Sequence, residues 1–563
     1  MRALDWFVLI AALAFIVGYG VWKTRGSKDV KAYLLANKSA AWYTVALSIM
    51  ATQASAITFL STPGQAYVDG MRFVQFYLGL PIAMIVLSVT AVPLFHRMSV
   101  YTAYEYLEIR FDLKNRALGS ILFLTQRGLA AGFTIFAPAL IVSVLLGWNL
   151  SLTIFIIGAL VVIYTASGGT NAVNKTHFYQ MIVVMIGMVA AFFMIYVHLP
   201  PDISAIDAAH VAGKMGRLNA IDFSFDLSNR YSFWSGIIGG TFLMLSYFGT
   251  DQSQVQRYLA GSSITQSRMG LLANGVVKIP MQFFILFIGA MVFVFYQFVT
   301  PPLFFNSVET RNVHNSVHAA EYRSLEEQHA RINTEKQADI RNLLQAIKAG
   351  DDTRIAALTA EVDRRQQSAL EIREQGIQLI QKANPGSDSN DTNYIFLTFV
   401  ITYLPVGMVG LVLAAILSAS MSSTSAELNA LASTTVIDIY KRMLKKDASE
   451  KHYLLVSKLA TVFWGLYAIV FALYASHLGT LIEAVNILGS LFYGTILGIF
   501  LVAFYLKSAG GTSTFFAAVL AEAAVIVCYV FTDIPYLWYN VIGCLAVVLL
   551  ALFIEMFIGN RTA

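Results

Sequence analysis

Runs of about twenty apolar residues recur along the chain, and they constrain its fold more than any other feature. An α-helix needs about 20 apolar residues to cross a bilayer, and about thirteen such runs follow one another here. Helices satisfy their own backbone hydrogen bonds inside hydrocarbon, so the sequence predicts an all-α polytopic membrane protein. The predicted spans are 5–22, 41–68, 73–97, 117–146, 150–168, 175–199, 233–256, 270–299, 407–440, 453–476, 480–507, 511–532 and 536–559.

The composition agrees with a membrane protein and excludes a soluble globular domain. Of the 563 residues, 57% are hydrophobic and only 13% are charged. The first run is followed by a basic loop without a small-residue cleavage site, which predicts a retained helix rather than a signal peptide. Cys528 and Cys544 lie in the last two runs and indicate neither a disulfide framework nor a zinc site. We find no phosphate-binding loop and no catalytic constellation, so we expect neither ATP-driven transport nor an enzyme.

Lysine and arginine are concentrated in alternate loops. By the positive-inside rule this pattern places the N terminus outside and the C terminus in the cytoplasm of a plasma or inner membrane. The net charge of +5 is therefore a topological signal and carries no suggestion of nucleic acid. The basic positions are Lys23, Arg25, Lys28, Lys31 and Lys38 in the first loop, Arg97, Arg110, Lys114 and Arg116 in the third, and Lys441, Arg442, Lys445, Lys446 and Lys451 after the ninth span.

Residues 306–392 form a hydrophilic insertion with a helical pattern. Residues spaced three or four apart, most of them apolar, run from Tyr322 to Ile347 and again from Ile355 to Ile380. Ala349–Asp352 supplies a turn with an N-cap, and Asn384–Gly386 ends the second helix. The pattern predicts an antiparallel hairpin about 40 Å long, projecting on the outer side. Its mixed charges favour a solvated face; docking of a partner, or self-association, is the second interpretation.

Two spans carry signals of a broken helix. The second contains Ala51–Tyr67, in which Ser and Thr cluster and Pro63–Gly64 interrupts the pattern. The seventh ends with Phe248–Arg257, which includes Gly249 and the acid Asp251. Interrupted spans at corresponding positions are typical of inverted repeats with a substrate and ion site at the midplane. Charge inside a membrane is costly, so Asp251 is the leading functional candidate.

The ninth span carries a dense row of hydroxyls. Ala419, Ser422 and Ser423 have the i, i+3, i+4 spacing that places them on one helix face. One carbonyl and two hydroxyl oxygens in that arrangement suit a hard cation. Close packing of membrane helices is the alternative interpretation.

Other polar residues in the spans have two interpretations each. Arg127 is either a carboxylate clamp or a membrane-end anchor. Lys278 is either a functional group or a side chain that snorkels to the cytoplasmic surface. Asn486 and Tyr493 are pocket donors or contacts between helices. His177 is an interfacial residue or a titrating group on the ion pathway.

Four motifs together resemble the sodium/solute symporter family, which includes sodium–glucose, sialic acid, iodide and vitamin symporters. They are Ala103–Asp112, Ile163–Gly169, Gln254–Leu259 and Ser422–Arg442. The resemblance implies two inverted five-helix repeats and alternating access. The implied organisation is 1–40, first helix and loop; 41–231, first repeat (spans 2–6); 232–305, start of the second repeat (spans 7–8); 306–392, hairpin; 393–508, rest of the second repeat (spans 9–11); and 509–563, two peripheral helices.

The resemblance also implies a sodium site. It places backbone carbonyls at Ala51, Ala54 and Ala419 and hydroxyls at Ser422 and Ser423, the helix face already indicated by spacing. Members with a second sodium ion have an acid where this chain has His177 and a hydroxyl where it has Ala426. One sodium per solute is therefore expected, with Na⁺ as the coupling ion, and His177 leaves a proton contribution open.

For the solute, the resemblance is to the family rather than to one substrate class. Sugar-transporting members have polar groups at positions matching Asp251, Lys278 and Asn486, but their acid in the third span falls near Tyr77 here. Sialic acid members use an arginine about one turn from Arg127. The candidate substrate residues are Gln53, Thr58, Tyr77, Arg127, Asp251, Gln252, Lys278 and Asn486.

We therefore expect a sodium-coupled symporter that imports a small polar organic solute of the sugar, sialic acid or carboxylate class. Its partners are the solute and the lipid bilayer. The alternatives are a proton-coupled symporter, or a transporter-like sensor or channel without coupled transport.

Overall fold

The computed structural model describes residues 2–24, 40–98, 100–226, 228–475 and 480–558, with the backbone alone for 16–17, 19–24 and 167–179. Within these ranges the chain is helical, and its β-structure is an isolated bridge between Ala40 and Gly261. The helices are α1 (Ala3–Thr24), α2 (Trp42–Gln53), α3 (Ala56–Asp69), α4 (Leu80–Val89), α5 (Ala91–Met98), α6 (Ala103–Arg110), α7 (Leu113–Leu146), α8 (Leu150–Val197), α9 (Ala205–Lys214), α10 (Gly240–Gly249), α11 (Gln252–Leu259), α12 (Ile264–Phe298), α13 (Ser307–His314), α14 (Ala319–Ala349), α15 (Asp352–Ala383), α16 (Thr392–Tyr403), α17 (Met408–Thr434), α18 (Glu450–Ala472), α19 (Leu481–Tyr505), α20 (Gly511–Phe531) and α21 (Tyr536–Ile558).

The all-α membrane fold predicted from the apolar runs is confirmed. Among the described residues, nine helices are long and apolar enough to cross a membrane, and four shorter apolar helices accompany them. One of the shorter helices, α16, lies outside every predicted span. Its 12 residues extend only about 18 Å, too little to cross the hydrocarbon core.

The predicted fifth and sixth spans are joined in one helix, α8. The predicted spans 150–168 and 175–199 imply a turn between them, but the helical backbone shows no break there. Glycine costs only about 1 kcal/mol in a helix interior, and no proline lies between Leu150 and Val197 to interrupt the hydrogen bonds. The predicted turn is therefore wrong. The side chain of His177 lies outside the described residues, as do Arg25, Lys28, Lys31 and Lys38 of the first loop.

The insertion forms the predicted antiparallel hairpin, in which α14 and α15 pack along each other. Gly350 ends α14 with a φ of +70°, a conformation that glycine adopts without strain. The Asp351 carboxylate accepts a hydrogen bond from Arg354 N at 3.0 Å and caps α15. Asn384 ends α15, as predicted. Each helix has more than 30 residues and is therefore about 46 Å long.

The hairpin lies against the rest of the chain at both ends. At its base, Leu303 and Phe304 pack with Tyr322 and other apolar residues of the hairpin. At its tip, Lys348 forms an ion pair of 3.0 Å with Asp207 in α9. Sequence periodicity identifies the buried face of each hairpin helix. It does not identify the residues outside the hairpin that contact the two ends of these helices.

The end of α7 away from the hairpin carries a cluster of ion pairs. Arg116 lies 2.7 Å from Asp438 and 2.8 Å from Glu108, and Glu108 also binds Arg442. These residues belong to or adjoin two of the motifs that carried the family resemblance, Ala103–Asp112 and Ser422–Arg442. The cluster therefore joins the start of α7 to the segment that follows α17.

Candidate functional site

The second predicted span is broken between α2 and α3. Ser55 N donates to Gln53 O at 3.1 Å rather than to Ala51 O, and Thr58 N donates to Ser55 O at 3.0 Å rather than to Ala54 O. In a regular helix those amides would bond four residues back. The break therefore releases the carbonyls of Ala51 and Ala54 from their helical partners.

The break does not lie at Pro63–Gly64, where the sequence predicted it. Both residues lie inside α3, which continues to Asp69. A Cβ atom at Gly64 would lie 2.1 Å from the backbone oxygen of Thr392, so glycine there permits close packing against the start of α16. Membrane helices tolerate proline where neighbouring groups satisfy the freed backbone, which explains why Pro63 does not end α3.

The seventh predicted span is broken between α10 and α11, as predicted. Asp251 has an extended backbone between the two helices. Its carboxylate caps α11 by accepting hydrogen bonds from Ser253 N at 2.9 Å and Ser253 Oγ at 2.6 Å. Capping satisfies amides that a helix start leaves without partners.

Arg127 of α7 joins the break between α10 and α11 to α17 and α19. Its guanidinium forms ion pairs with Asp251 and, at 3.0 Å, with Glu427. It also donates to Tyr493 Oη at 2.5 Å, and Tyr493 donates to Asp251 at 2.8 Å. Arg127 is only 5% exposed, so the membrane-end anchor is wrong. Arginine here clamps two carboxylates of its own chain.

A pocket of about 90 Å³ lies beside this network. Five of the predicted substrate residues line it: Gln53, Thr58, Tyr77, Arg127 and Asn486. Its other polar walls are Thr52, Ser55, Gln126, Thr134, Tyr247, Glu427 and Tyr493. Organic ligands generally occupy several hundred Å³. The pocket must therefore enlarge before a solute of that size can enter.

Glu427 is a buried acid on the pocket wall that sequence reasoning missed as a candidate. It accepts a hydrogen bond from Thr134 Oγ1 at 3.1 Å in addition to its pairing with Arg127. The signal was available, since Glu427 is an acid inside an apolar span and such residues are functional candidates by default.

Three predicted substrate residues lie off the pocket wall. Asp251 is absent from the pocket wall, and its carboxylate is paired with Arg127, which does line the pocket. Gln252 bonds Ala103 N at 3.1 Å and Tyr101 O at 2.9 Å, so its amide is used to hold α11 to the turn before α6.

Lys278 is fully buried in α12, which packs on α2, α3 and α4. It reaches neither the pocket nor a surface, so the snorkelling interpretation is also wrong. Its ammonium has no hydrogen-bond partner among the described residues. The packing of α12 turns this side chain toward a helix interface.

The predicted sodium ligands lie on two elements that contact each other. α17, which carries Ala419, Ser422 and Ser423, packs against both α2 and α3 on either side of the break. Among the described residues, Ser422 Oγ is buried without a hydrogen-bond partner, and Ser423 Oγ bonds within its own helix alone, to Ala419 O at 3.2 Å and to Ser420 O at 3.1 Å. An unpartnered buried hydroxyl on a helix that packs across the break suits an oxygen-only cation site.

Comparisons with known proteins agree with this architecture. A family model described as "Sodium:solute symporter family" matches residues 33–317 and 376–521, leaving out most of the hairpin. The human sodium/iodide cotransporter is 31% identical over 54% of this chain and 47% of its own length. The Xenopus laevis sodium-coupled monocarboxylate transporter 1 is 33% identical over 48% of this chain and 43% of its own. This chain thus spans less than half the length of these two relatives.

Two further proteins match over nearly the whole chain. The sodium/sialic acid symporter NanT of Aliivibrio fischeri is 25% identical over 97% of this chain and 92% of its own length. A solved structure, the substrate-bound outward-open state of a Na⁺-coupled sialic acid symporter, aligns with a TM-score of 0.74 at 23% identity, covering 99% of this chain and 98% of that one. At that identity the structural likeness shows a shared fold.

Proposed function

Since this chain belongs to the sodium:solute symporter family, we propose that it couples sodium entry to the uptake of a small polar organic solute by alternating access. The observation that carries the proposal is the polar pocket at the broken helix α2–α3, together with the carbonyls of Ala51 and Ala54 that this break releases. Sodium moving across a potential of 100 mV supplies about 2.3 kcal/mol per ion. That energy supports roughly 50-fold accumulation of a neutral solute before the sodium gradient is added.

The sodium ion is proposed to bind Ala51, Ala54, Ala419, Ser422 and Ser423, with one ion per solute. These residues come from α2, the break after it and α17, which belong to different predicted repeats. An ion held by both would favour the conformation in which the repeats are close. Such a site links sodium binding to the shape of the pocket, since α2 and α3 also form part of its wall.

The charges around the pocket favour a solute with hydrogen-bond donors. Arg127 carries one positive charge, and Asp251 and Glu427 together carry two negative charges when ionised. Ionised carboxylates only accept hydrogen bonds, and an anionic solute would have to displace one of them from Arg127. Of the three expected classes, this arrangement favours a sugar or another hydroxylated or amine-bearing solute over a carboxylate.

Uptake into proteoliposomes tests the proposed coupling. A thermal-shift screen of sugars, polyols, amino acids and carboxylates in sodium first identifies a solute that binds. We then expect saturable uptake that requires an inward sodium gradient and carries positive charge inward. Uptake driven equally by a proton gradient without sodium would favour the proton-coupled alternative. Solute-independent sodium current would favour a channel, and binding without any uptake would favour a sensor.

The hydroxyl of Thr58 provides a test of the pocket itself. Thr58→Val keeps the shape of the side chain and removes a hydrogen-bonding group from the wall. A lost hydrogen bond is worth about 1–1.5 kcal/mol, so we expect roughly a tenfold rise in the solute concentration for half-maximal uptake. Thr62→Val is the matched control, since Thr62 is a buried threonine one turn along the same helix and off the pocket wall. Equal effects of the two changes would contradict the assignment of Thr58.

We also propose an orientation of the chain in the membrane, with the hairpin on the outer side. The hairpin and the Arg116 cluster lie at opposite ends of α7, which supports an extracytoplasmic hairpin, an outside N terminus and a cytoplasmic C terminus.

Val317, at the base of the hairpin, is 94% exposed and is proposed to contact a partner or a second copy. A smaller particle mass for Val317→Asp than for the unchanged protein in detergent supports association; a monomeric unchanged protein contradicts self-association.

A further inference from the structure

A second and larger cavity lies between the hairpin and the transmembrane helices. Its volume is about 390 Å³, against about 90 Å³ for the pocket at Arg127. Its walls are α14 and α15, the ends of α3 and α12, and the start of α16. The family model leaves out residues 318–375, so most of the hairpin wall of this cavity belongs to this chain rather than to the family core.

Positive charge predominates in this cavity. Arg217, Lys336 and Arg373 line it, and Asp391 is the acid among its lining residues. Asp391 is already used, because it pairs with Arg373 and accepts a hydrogen bond from Phe305 N at 2.5 Å. The charges of Lys336 and Arg217 therefore remain to be balanced.

The surroundings of these two cations differ. Arg217 lies 4.2 Å above the Phe293 ring and near Asp69, which offsets part of its charge. Lys336 is only 2% exposed and feels chiefly the like charge of Arg217. Burial, reinforced by Arg217, lowers the pKa of Lys336 to about 7. A buried cation without an acidic partner is costly, and a bound anion would relieve that cost.

Several polar atoms around the cavity have unused hydrogen-bonding capacity. Lys336 Nζ donates to Gln366 Oε1 at 2.8 Å, which leaves two of its three N–H groups. Arg217 Nε has no hydrogen-bond partner in the part of the chain that the structure describes. Gln297 Oε1 and Asn333 Oδ1, both on residues at most 2% exposed, are acceptors without a partner. Buried polar atoms normally have hydrogen-bond partners. The unpaired donors and acceptors here therefore fit a ligand that carries both acceptor and donor groups.

We propose that this cavity binds a small organic carboxylate that also carries hydroxyl groups. The carboxylate lies between Lys336 and Arg217, whose remaining N–H groups donate to it. The hydroxyls of the ligand donate to Gln297 Oε1 and Asn333 Oδ1. This is a second binding site, separate from the pocket at Arg127, and the hairpin is the element that creates it.

Calorimetry on the purified full chain in low-chloride buffer tests the site with matched probes. D-Gluconate carries both a carboxylate and hydroxyls, whereas D-sorbitol carries hydroxyls alone. We expect gluconate to bind and sorbitol to give no signal. Lys336→Gln should weaken gluconate binding at least tenfold, whereas Lys382→Gln, which changes an exposed lysine of the same hairpin, should leave it unchanged. Failure of the unchanged protein to bind gluconate, or equal affinity in Lys336→Gln, overturns the proposal.

A second variant covers the case in which Lys336→Gln folds poorly. Gln366→Glu places a carboxylate beside the Lys336 ammonium and supplies the missing counter-charge from within the protein. We expect this variant to have a higher thermal midpoint than the unchanged protein. We also expect it to lose gluconate binding, because the new carboxylate pairs with Lys336 in place of the gluconate carboxylate. Unchanged gluconate affinity in Gln366→Glu contradicts the site.

Discussion

Replacing both Ser422 and Ser423 with alanine is expected to abolish sodium-dependent uptake while the protein still folds and inserts. The change removes two of the five proposed ligand oxygens. Ser422 Oγ has no protein partner to lose, and Ser423 Oγ bonds only within α17, so helix packing is little affected. Alanine also has the highest helix propensity. Each single change should raise the sodium concentration for half-maximal uptake several-fold.

The control for this pair is Ser418→Ala. Ser418 is also a buried serine of α17 whose hydroxyl lacks a hydrogen-bond partner, but it is not among the proposed ligands. Thermal stabilisation by sodium, measured without solute, separates ion binding from transport. Unchanged sodium dependence in the double variant would assign the hydroxyl row to helix packing instead.

The same site makes a reciprocal prediction about affinities. If sodium raises the affinity for the solute by some factor, the solute must raise the affinity for sodium by the same factor. Titrations of each ligand at fixed concentrations of the other measure both factors. In the Ser422/Ser423 double variant both factors should fall to one.

Replacing Arg127 with methionine is expected to have the second large effect. It leaves Asp251 and Glu427 buried together without the cation that they share. Removing one partner of a buried ion pair typically costs about 3–5 kcal/mol, which should appear as a much lower thermal midpoint and lost transport. Adding Asp251→Asn and Glu427→Gln removes both stranded charges, so the triple variant should recover stability without recovering transport.

Glu427→Gln alone is the informative control for Arg127. It removes one negative charge but keeps the Arg127–Asp251 pair, so its thermal midpoint should stay close to that of the unchanged protein. A stable Arg127→Met variant would show that the network contributes little to folding. A Glu427→Gln variant as unstable as Arg127→Met would show that the charge balance assumed here is incorrect.

Local sequence patterns predicted the features that depend on neighbouring residues. The apolar runs marked the membrane helices, and Gly350, Asp351 and Asn384 marked the ends of the hairpin helices. Both broken spans were recognised because hydroxyls, glycine and an acid interrupt apolar sequence. The position of the first break was wrong, since Pro63 can stay inside a helix when its neighbours satisfy the backbone.

The features that sequence missed depend on residues far apart in the chain. The pairing of Arg127 with Glu427 joins positions 300 residues apart, so neither residue alone reveals the pair. Gln252 was expected to contact the solute, but its amide bonds backbone groups about 150 residues earlier. The contact between the hairpin tip and Asp207, which lies 141 residues from Lys348, was likewise not predicted. Hydrophobic periodicity identifies which face of a helix is buried, but it does not identify the residues that pack against that face.

The docked hairpin has a practical consequence for imaging. A 61.9 kDa membrane protein is largely hidden by its detergent micelle, which makes single particles hard to align by electron microscopy. A rod about 46 Å long, attached at base and tip, gives each particle an asymmetric landmark. Antibody fragments raised against the Gly350 turn would enlarge that landmark while leaving the pocket at Arg127 untouched.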